Sequence, residues 1–158
     1  MSAPRGRSSQ PGIESWHCFS SGPYYDPSRI ALGELIGVDE HRVAPRAGFD
    51  WHGHAGVHIV SWVLEGALRH EDISGEVRIV TPGTLFVQST GAGIRHRETN
   101  ASDTDPLTFV QVTLLVAGPV GMWSADPPAE IAGAAIEADA SSVGVTVAGG
   151  RRFVLTLD

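Results

Sequence analysis

Turn residues cut this chain into short pieces from one end to the other. Its 158 residues include 19 glycines and 10 prolines, roughly one position in five. Few uninterrupted stretches are long enough for a helix. The pieces between the turns are β-branched and strand-like from residue 30 onward: 57–64, 67–71, 77–80, 84–88 and 107–116. The punctuation is of hairpin type. Asp72-Ile73-Ser74-Gly75 reads as a tight turn, Pro82-Gly83 as a type II dipeptide, and Gly91-Ala92-Gly93 as an approach to another strand. Strands about ten residues apart predict a sandwich or barrel and not parallel βαβ units. Only the alanine-rich stretch 129–140, after Pro127-Pro128, reads as a short helix. Residues 143–147 and 153–157, around Gly149-Gly150, read as a terminal hairpin.

Composition excludes several kinds of chemistry. Hydrophobic residues make up 42% and charged residues 18%, enough apolar material for one buried core. The formal net charge of −7 leaves no basic surplus to neutralise phosphates, so direct nucleic-acid binding is not expected. All 11 basic residues are arginines, which removes Schiff-base and lysine-nucleophile chemistry. Cys18 is the single cysteine, so no intrachain disulfide forms, consistent with a reducing interior. Residues 1–12 are rich in Ser, Pro, Gly and Arg and are expected to be a disordered tail, not a signal peptide. The longest apolar run, 109–118, is interrupted by Gln111 and Thr113 and is too short for a bilayer. A soluble, cytoplasmic protein with residues 13–158 as one domain is the expectation.

Against that background, seven histidines stand out. Trp51-His52-Gly53-His54 is followed four residues later by His58, and a second group reads Ile94-Arg95-His96-Arg97-Glu98. Alternate side chains on a strand share a face, so His52 projects with His54, and His96 with Glu98. If the two strands meet inside a barrel, three imidazoles and one carboxylate converge. That donor set suits a divalent transition metal (iron, manganese, nickel, copper or zinc) and not calcium. Each short motif alone is more often coincidence than a site. Strand parity places His58 on the same face as His52 and His54 unless a bulge intervenes; an inward histidine satisfied by a backbone carbonyl is the plain alternative.

The segments 48–54, 63–66, 70–75, 82–83 and 91–100 closely resemble the N-terminal cupin domain of pirin-like proteins. The opening segments Ser15-Trp16-His17-Cys18-Phe19 and Tyr24-Tyr25-Asp26-Pro27 resemble that family too, so the likeness runs over residues 13–115. The resemblance implies an all-β, cupin-type double-stranded β-barrel (jelly roll) with at most one short helix. By similarity, the metal ligands would be His52, His54, His96 and Glu98. The family usually carries iron and is associated with flavonol dioxygenase activity or with transcriptional co-regulation. Three departures from the family pattern stand out. The chain covers about one cupin where the family has two, so a homodimer is expected to supply the missing cover. His-Pro-His is here His-Gly-His. His58 stands where the family has a glutamate, which makes it a candidate base or fifth ligand.

Other residues read more plainly. Trp51, Trp62 and Phe86 are expected to line or close the barrel, with Trp62 a core aromatic more readily than a substrate platform. Arg95 and Arg97 alternate with His96 and should point away from it. His17, His41 and His70 have no partner spacing, and no nucleophile elbow supports a Ser-His-Asp triad. The sequence therefore predicts a metal-dependent enzyme acting on a small aromatic or enol-type molecule, first of all a quercetinase-like dioxygenase using Fe(II). Glu98 or His58 would move the proton. The alternatives are a redox-independent cyclase, isomerase or dehydratase, and a non-catalytic metal-dependent regulator. Removing dioxygen separates the first two.

Overall fold

In the computed structural model, which describes residues 5–157, the sequence folds into fifteen strands. They are β1 (Gly6–Gln10), β2 (Ile13–His17), β3 (Leu35–Val43), β4 (Gly48–His54), β5 (His58–Glu65), β6 (Leu68–Asp72), β7 (Val77–Val80) and β8 (Leu85–Ser89). There follow β9 (Ile94–Asn100), β10 (Leu107–Leu114), β11 (Gly121–Ala125), β12 (Ala129–Ile131), β13 (Ala134–Ala138), β14 (Ser142–Thr146) and β15 (Arg152–Thr156). No helix occurs among the described residues, and none is long and apolar enough to cross a membrane.

The strands form three antiparallel sheets. The central one has seven strands in the order β1-β2-β3-β10-β5-β8-β11, flanked by β4-β9-β6-β7 and β12-β13-β14-β15. One apolar cluster, Ile13, Val43, Val63, Leu68, Val80, Phe86, Leu107 and Phe109, fills the barrel between the central sheet and β4-β9-β6-β7. A second lies on the opposite face. There Val60, Trp62, Leu85, Val87, Val110 and Val112 meet Ile131, Ile136, Val143, Val145 and Leu155 of the last sheet. The central strands are therefore covered on both faces, which is why β5 is buried at six consecutive positions, His58 to Val63, instead of at alternate ones. The chain's own C-terminal sheet thus covers one broad face of the barrel.

Two expectations are corrected. Residues 6–10 are not a disordered tail: β1 pairs along its whole length with β2, from Gly6 opposite His17 to Gln10 opposite Ile13. The two-residue connection through Pro11 and Gly12, with Gly12 at φ 75°, makes a hairpin that low apolar content had hidden. The tail's residues 1–4 lie outside the described residues. The stretch 129–140 is not a helix but the hairpin β12–β13. Ala132 and Gly133 turn it at φ 51° and 81°, and alternate burial of Ala134 and Ile136 seats it on the second cluster. Packing overrides alanine's helix propensity there.

Candidate metal centre

The site is built by β4 and β9, which pair antiparallel with His52 opposite His96. The register shifts between Phe49 and His52, so Asp50 and Trp51 form an irregularity just before the first histidine. That irregularity aims His52, whose Nδ1–H donates to the Asp50 carbonyl at 2.6 Å and leaves Nε2 turned toward the other histidines. His52 Nε2 lies 2.9 Å from His96 Nε2, which in turn lies 3.2 Å from Glu98 Oε1. His52, His54 and His96 each offer a ring nitrogen, and these atoms all fall within 4.8 Å of one another. His96 and Glu98 are buried, while His52 and His54 are half-buried at the mouth. A shallow groove of about 510 Å³, lined by Gly53, His54, Ala55, Ile73, Gly93, Ile94 and Arg95, opens beside His54.

Burial sets the electrostatics. It pulls His54 down to about 4 and His96 to about 2, with neighbouring imidazoles adding to both shifts. The rings are therefore neutral at physiological pH, the form that donates a lone pair. Burial pushes Glu98 up to about 7, partly opposed by Gln111, whose Nε2 donates to Oε2 at 2.9 Å and to Oε1 at 3.3 Å. Three imidazoles and a carboxyl held at hydrogen-bonding distance fit a divalent transition ion and do not resemble an all-oxygen calcium site.

These shifts set the pH dependence of the metal-free protein. His41, His54 and His96 all fall from an ordinary 6.5, to about 4, 4 and 2. The unfolded chain therefore holds more protons below pH 6.5, and the histidines' contribution to stability grows as pH rises to that point. Glu98 acts oppositely, because the folded state keeps its proton between the ordinary 4.5 and about 7. Three histidines outweigh one carboxyl below 6.5, and above that only Glu98's contribution is left. Thermal melts in chelator should show stability rising from pH 4.5 to 6.5 and then slipping toward 7. Glu98→Gln should remove the slip, and a slip that persists in the variant counts against burial of this carboxyl as its source.

His58 is not brought to this cluster, which corrects the strand-parity reading. The break at residues 55–57 carries the chain from one sheet into another, so parity does not continue from β4 into β5. On β5, His58 shares its face with Val60 and Trp62, which pack toward the C-terminal sheet, whereas Ser61 on the other face accepts from Gln111 Nε2 at 3.1 Å. His58 Nδ1–H donates to the Val116 carbonyl at 2.8 Å, and its ring lies 6.2 Å from that of Trp123. It is a buried histidine satisfied by backbone.

Two residues at the site had escaped sequence reasoning. His70 on β6 is 1% exposed, and its Nε2 lies 2.9 Å from His96 Nδ1 and 3.2 Å from Gln88 Oε1. Gln111, which holds Glu98, stands in register between Asp39 and Ser61 on β10. The signal available for Gln111 was a polar residue in phase with the inward-facing Phe109 inside an apolar run. His70 shares a face with buried Leu68, but no local spacing links it to His96. As expected, Arg97 points outward, reaching Glu71 Oε2 at 2.8 Å and covering the Trp51 ring at 5.0 Å. Trp62 is in the core, its Nε1–H donating to the Asp139 carbonyl at 3.0 Å.

His17 and His41 are also buried and satisfied. Ser8 O–H donates to His17 Nε2 at 2.7 Å and His17 Nδ1–H to Asp39 at 2.7 Å, while Ser15 meets His41 Nδ1 at 2.7 Å. Ser8 lies within paired strand and not on a strand-to-helix elbow, so this chain of hydrogen bonds reads as structural.

Fold and site together define a cupin-type barrel with a cluster of three histidines and one carboxylate at its mouth. A family model described as pirin matches residues 2–114, and the chain belongs to the pirin family. It is 42% identical over 103 residues to a Mycobacterium tuberculosis protein provisionally named a quercetin 2,3-dioxygenase, covering 65% of this chain and 42% of that one. It is 34% identical over 111 residues to the quercetin 2,3-dioxygenase of Escherichia coli K12, covering 70% and 48%. The crystal structure of the bacterial pirin YhhW from E. coli in complex with nickel(II) superposes with a TM-score of 0.73 at 31% identity, covering 77% of this chain and 54% of that one. The chain spans about half the length of the curated relatives it matches.

Proposed function

We propose that this chain carries the metal centre of a flavonol-cleaving dioxygenase, acting on quercetin or a similar enol, with His52, His54, His96 and Glu98 as ligands and iron as the working metal. The observation that carries this reading is the convergence of three imidazoles, one of them in contact with a buried carboxyl, beside an open groove. The names of the relatives support the substrate class, and the nickel-bound neighbour supports a divalent metal. A divalent transition metal held there would supply Lewis acidity and, if redox-active, electron exchange with dioxygen.

The protein's own groups do the rest. Glu98 is the carboxyl at hand to accept the proton of an enol hydroxyl, and Gln111, donating to it at 2.9 Å, keeps it turned toward His96. His54 and the apolar Ile73 and Ile94 border the groove through which a flat ring would approach. The outward-facing arginines take no part in proton transfer.

The test is oxygen uptake by metal-loaded protein with quercetin, run beside an anaerobic control. Uptake that tracks loss of the flavonol absorbance is the expected result. Consumption of substrate at the same rate without dioxygen would replace this reading with the cyclase or isomerase alternative. A metal-loaded protein that consumes neither would favour the regulatory one.

A further inference from the structure

On the face of the central sheet that meets the C-terminal strands, the connection 18–34 between β2 and β3 and the strand β15 enclose a cavity of about 370 Å³. Its floor is apolar. Cys18, Phe19 and Leu155 belong to the second cluster and are at most 6% exposed, and the rings of Phe19 and Phe153 meet at 5.2 Å. Burial pushes the Cys18 thiol up to about 12, against the pull of nearby Arg5, so the floor carries no charge at neutral pH. The connection is tied in place by its own hydrogen bonds. Ser20 N–H donates to the Arg29 carbonyl at 2.7 Å, Ser20 O–H to the Asp26 carbonyl at 2.8 Å, and Leu32 N–H to the Leu35 carbonyl at 2.8 Å.

The charged groups that line this cavity are two guanidiniums, Arg5 and Arg29, and no carboxylate is among its lining residues. Arg5 Nη1–H donates to Glu40 Oε2 at 2.6 Å, and Arg29 Nε lies 3.7 Å from Asp26 Oδ2, but both acids stand outside the lining. Glu40 is itself divided, because its other oxygen accepts from Arg42 Nη2 at 3.2 Å. A guanidinium carries five N–H donors in a planar fork, so one such bond leaves it able to hold a second carboxylate. An apolar chamber at the small end of ligand-pocket sizes, with only cations for charge, selects a compact apolar body bearing one negative group. We propose that this cavity binds a small arylalkyl carboxylate, its ring among Phe19, Leu32 and Phe153 and its carboxylate against Arg5 and Arg29. The site shares no residue with the metal centre, so it stands whatever chemistry that centre performs.

The probe is 3-phenylpropionate, titrated into the isotope-labelled full chain in the presence of Zn(II), with 3-phenylpropionamide as its neutral counterpart. Backbone amide signals of residues 18–32 and of β15 should shift saturably, with a dissociation constant of about 0.1–1 mM. The amide should bind about 10-fold more weakly. Arg29→Gln should weaken the carboxylate by about 10-fold and leave the amide's affinity unchanged, while signals from β4 to β10 stay in place and report an intact fold. Arg29→Lys, which keeps the charge, should recover part of the loss. Three results would each overturn the proposal. They are no saturable shift up to about 10 mM, equal affinity for acid and amide, and shifts confined to β4 and β9, where the acid would sit on the metal.

Discussion

His96→Ala is expected to eliminate metal binding and flavonol-dependent oxygen uptake together. The residue is wholly buried, lies 2.9 Å from His52 and 3.2 Å from Glu98, and is the point at which the other proposed ligands meet. Its loss opens a gap at the centre of the donor set and leaves Glu98 facing no imidazole. The fall in metal affinity should exceed about 100-fold, the upper range for losing an outer hydrogen-bond partner, since here a ligand itself is removed. Metal content measured after dialysis, together with oxygen-electrode traces, checks the prediction. Retained metal with retained uptake would show that His96 is not a ligand. His54→Ala, at the half-exposed mouth, should leave the fold intact and give the same direction of change.

Trp62→Ala should cause a large loss of stability without touching the metal centre. Trp62 sits on the outer face of β5 within the cluster that joins the central sheet to β12–β15, and its Nε1–H reaches the Asp139 carbonyl at 3.0 Å. Truncation removes a large buried ring and leaves that carbonyl without its partner, costing about 3–5 kcal/mol. For a chain of this length, that corresponds to a melting temperature lower by roughly 10 °C. Zinc affinity should hardly change, because Trp62 faces away from the barrel interior. Scanning calorimetry and zinc titration on one preparation check both halves. A small stability loss would mean that the last sheet does not pack on this face.

The strands were legible because their signal is local. The run 77–80 matches β7 residue for residue, and the other runs lie within two residues of the observed strands. Alternation also put His52 with His54 and His96 with Glu98, since each pair lies within one strand. It failed at β1, where a polar strand is held by pairing with β2 and not by a buried face of its own. It failed again at 129–140, where alanine's helical preference gives way to a turn at Gly133 and a sheet surface that takes Ala134 and Ile136. His58 shows the limit most clearly: parity holds only while a strand continues, and three residues sufficed to send the chain to another sheet.

By itself, then, the sequence determined the class of fold and the pairing of His52 with His54 and of His96 with Glu98 on shared strand faces, because turn spacing and side-chain alternation are properties of neighbouring residues. Tertiary structure alone decided that His70 supports His96, that Gln111 holds Glu98, and that His58 stands apart. The first two pairs are 26 and 13 residues apart in sequence, and only the strand register across β6, β9 and β10 brings them together, whereas His58, four residues from His54, is kept apart by the passage from one sheet to another.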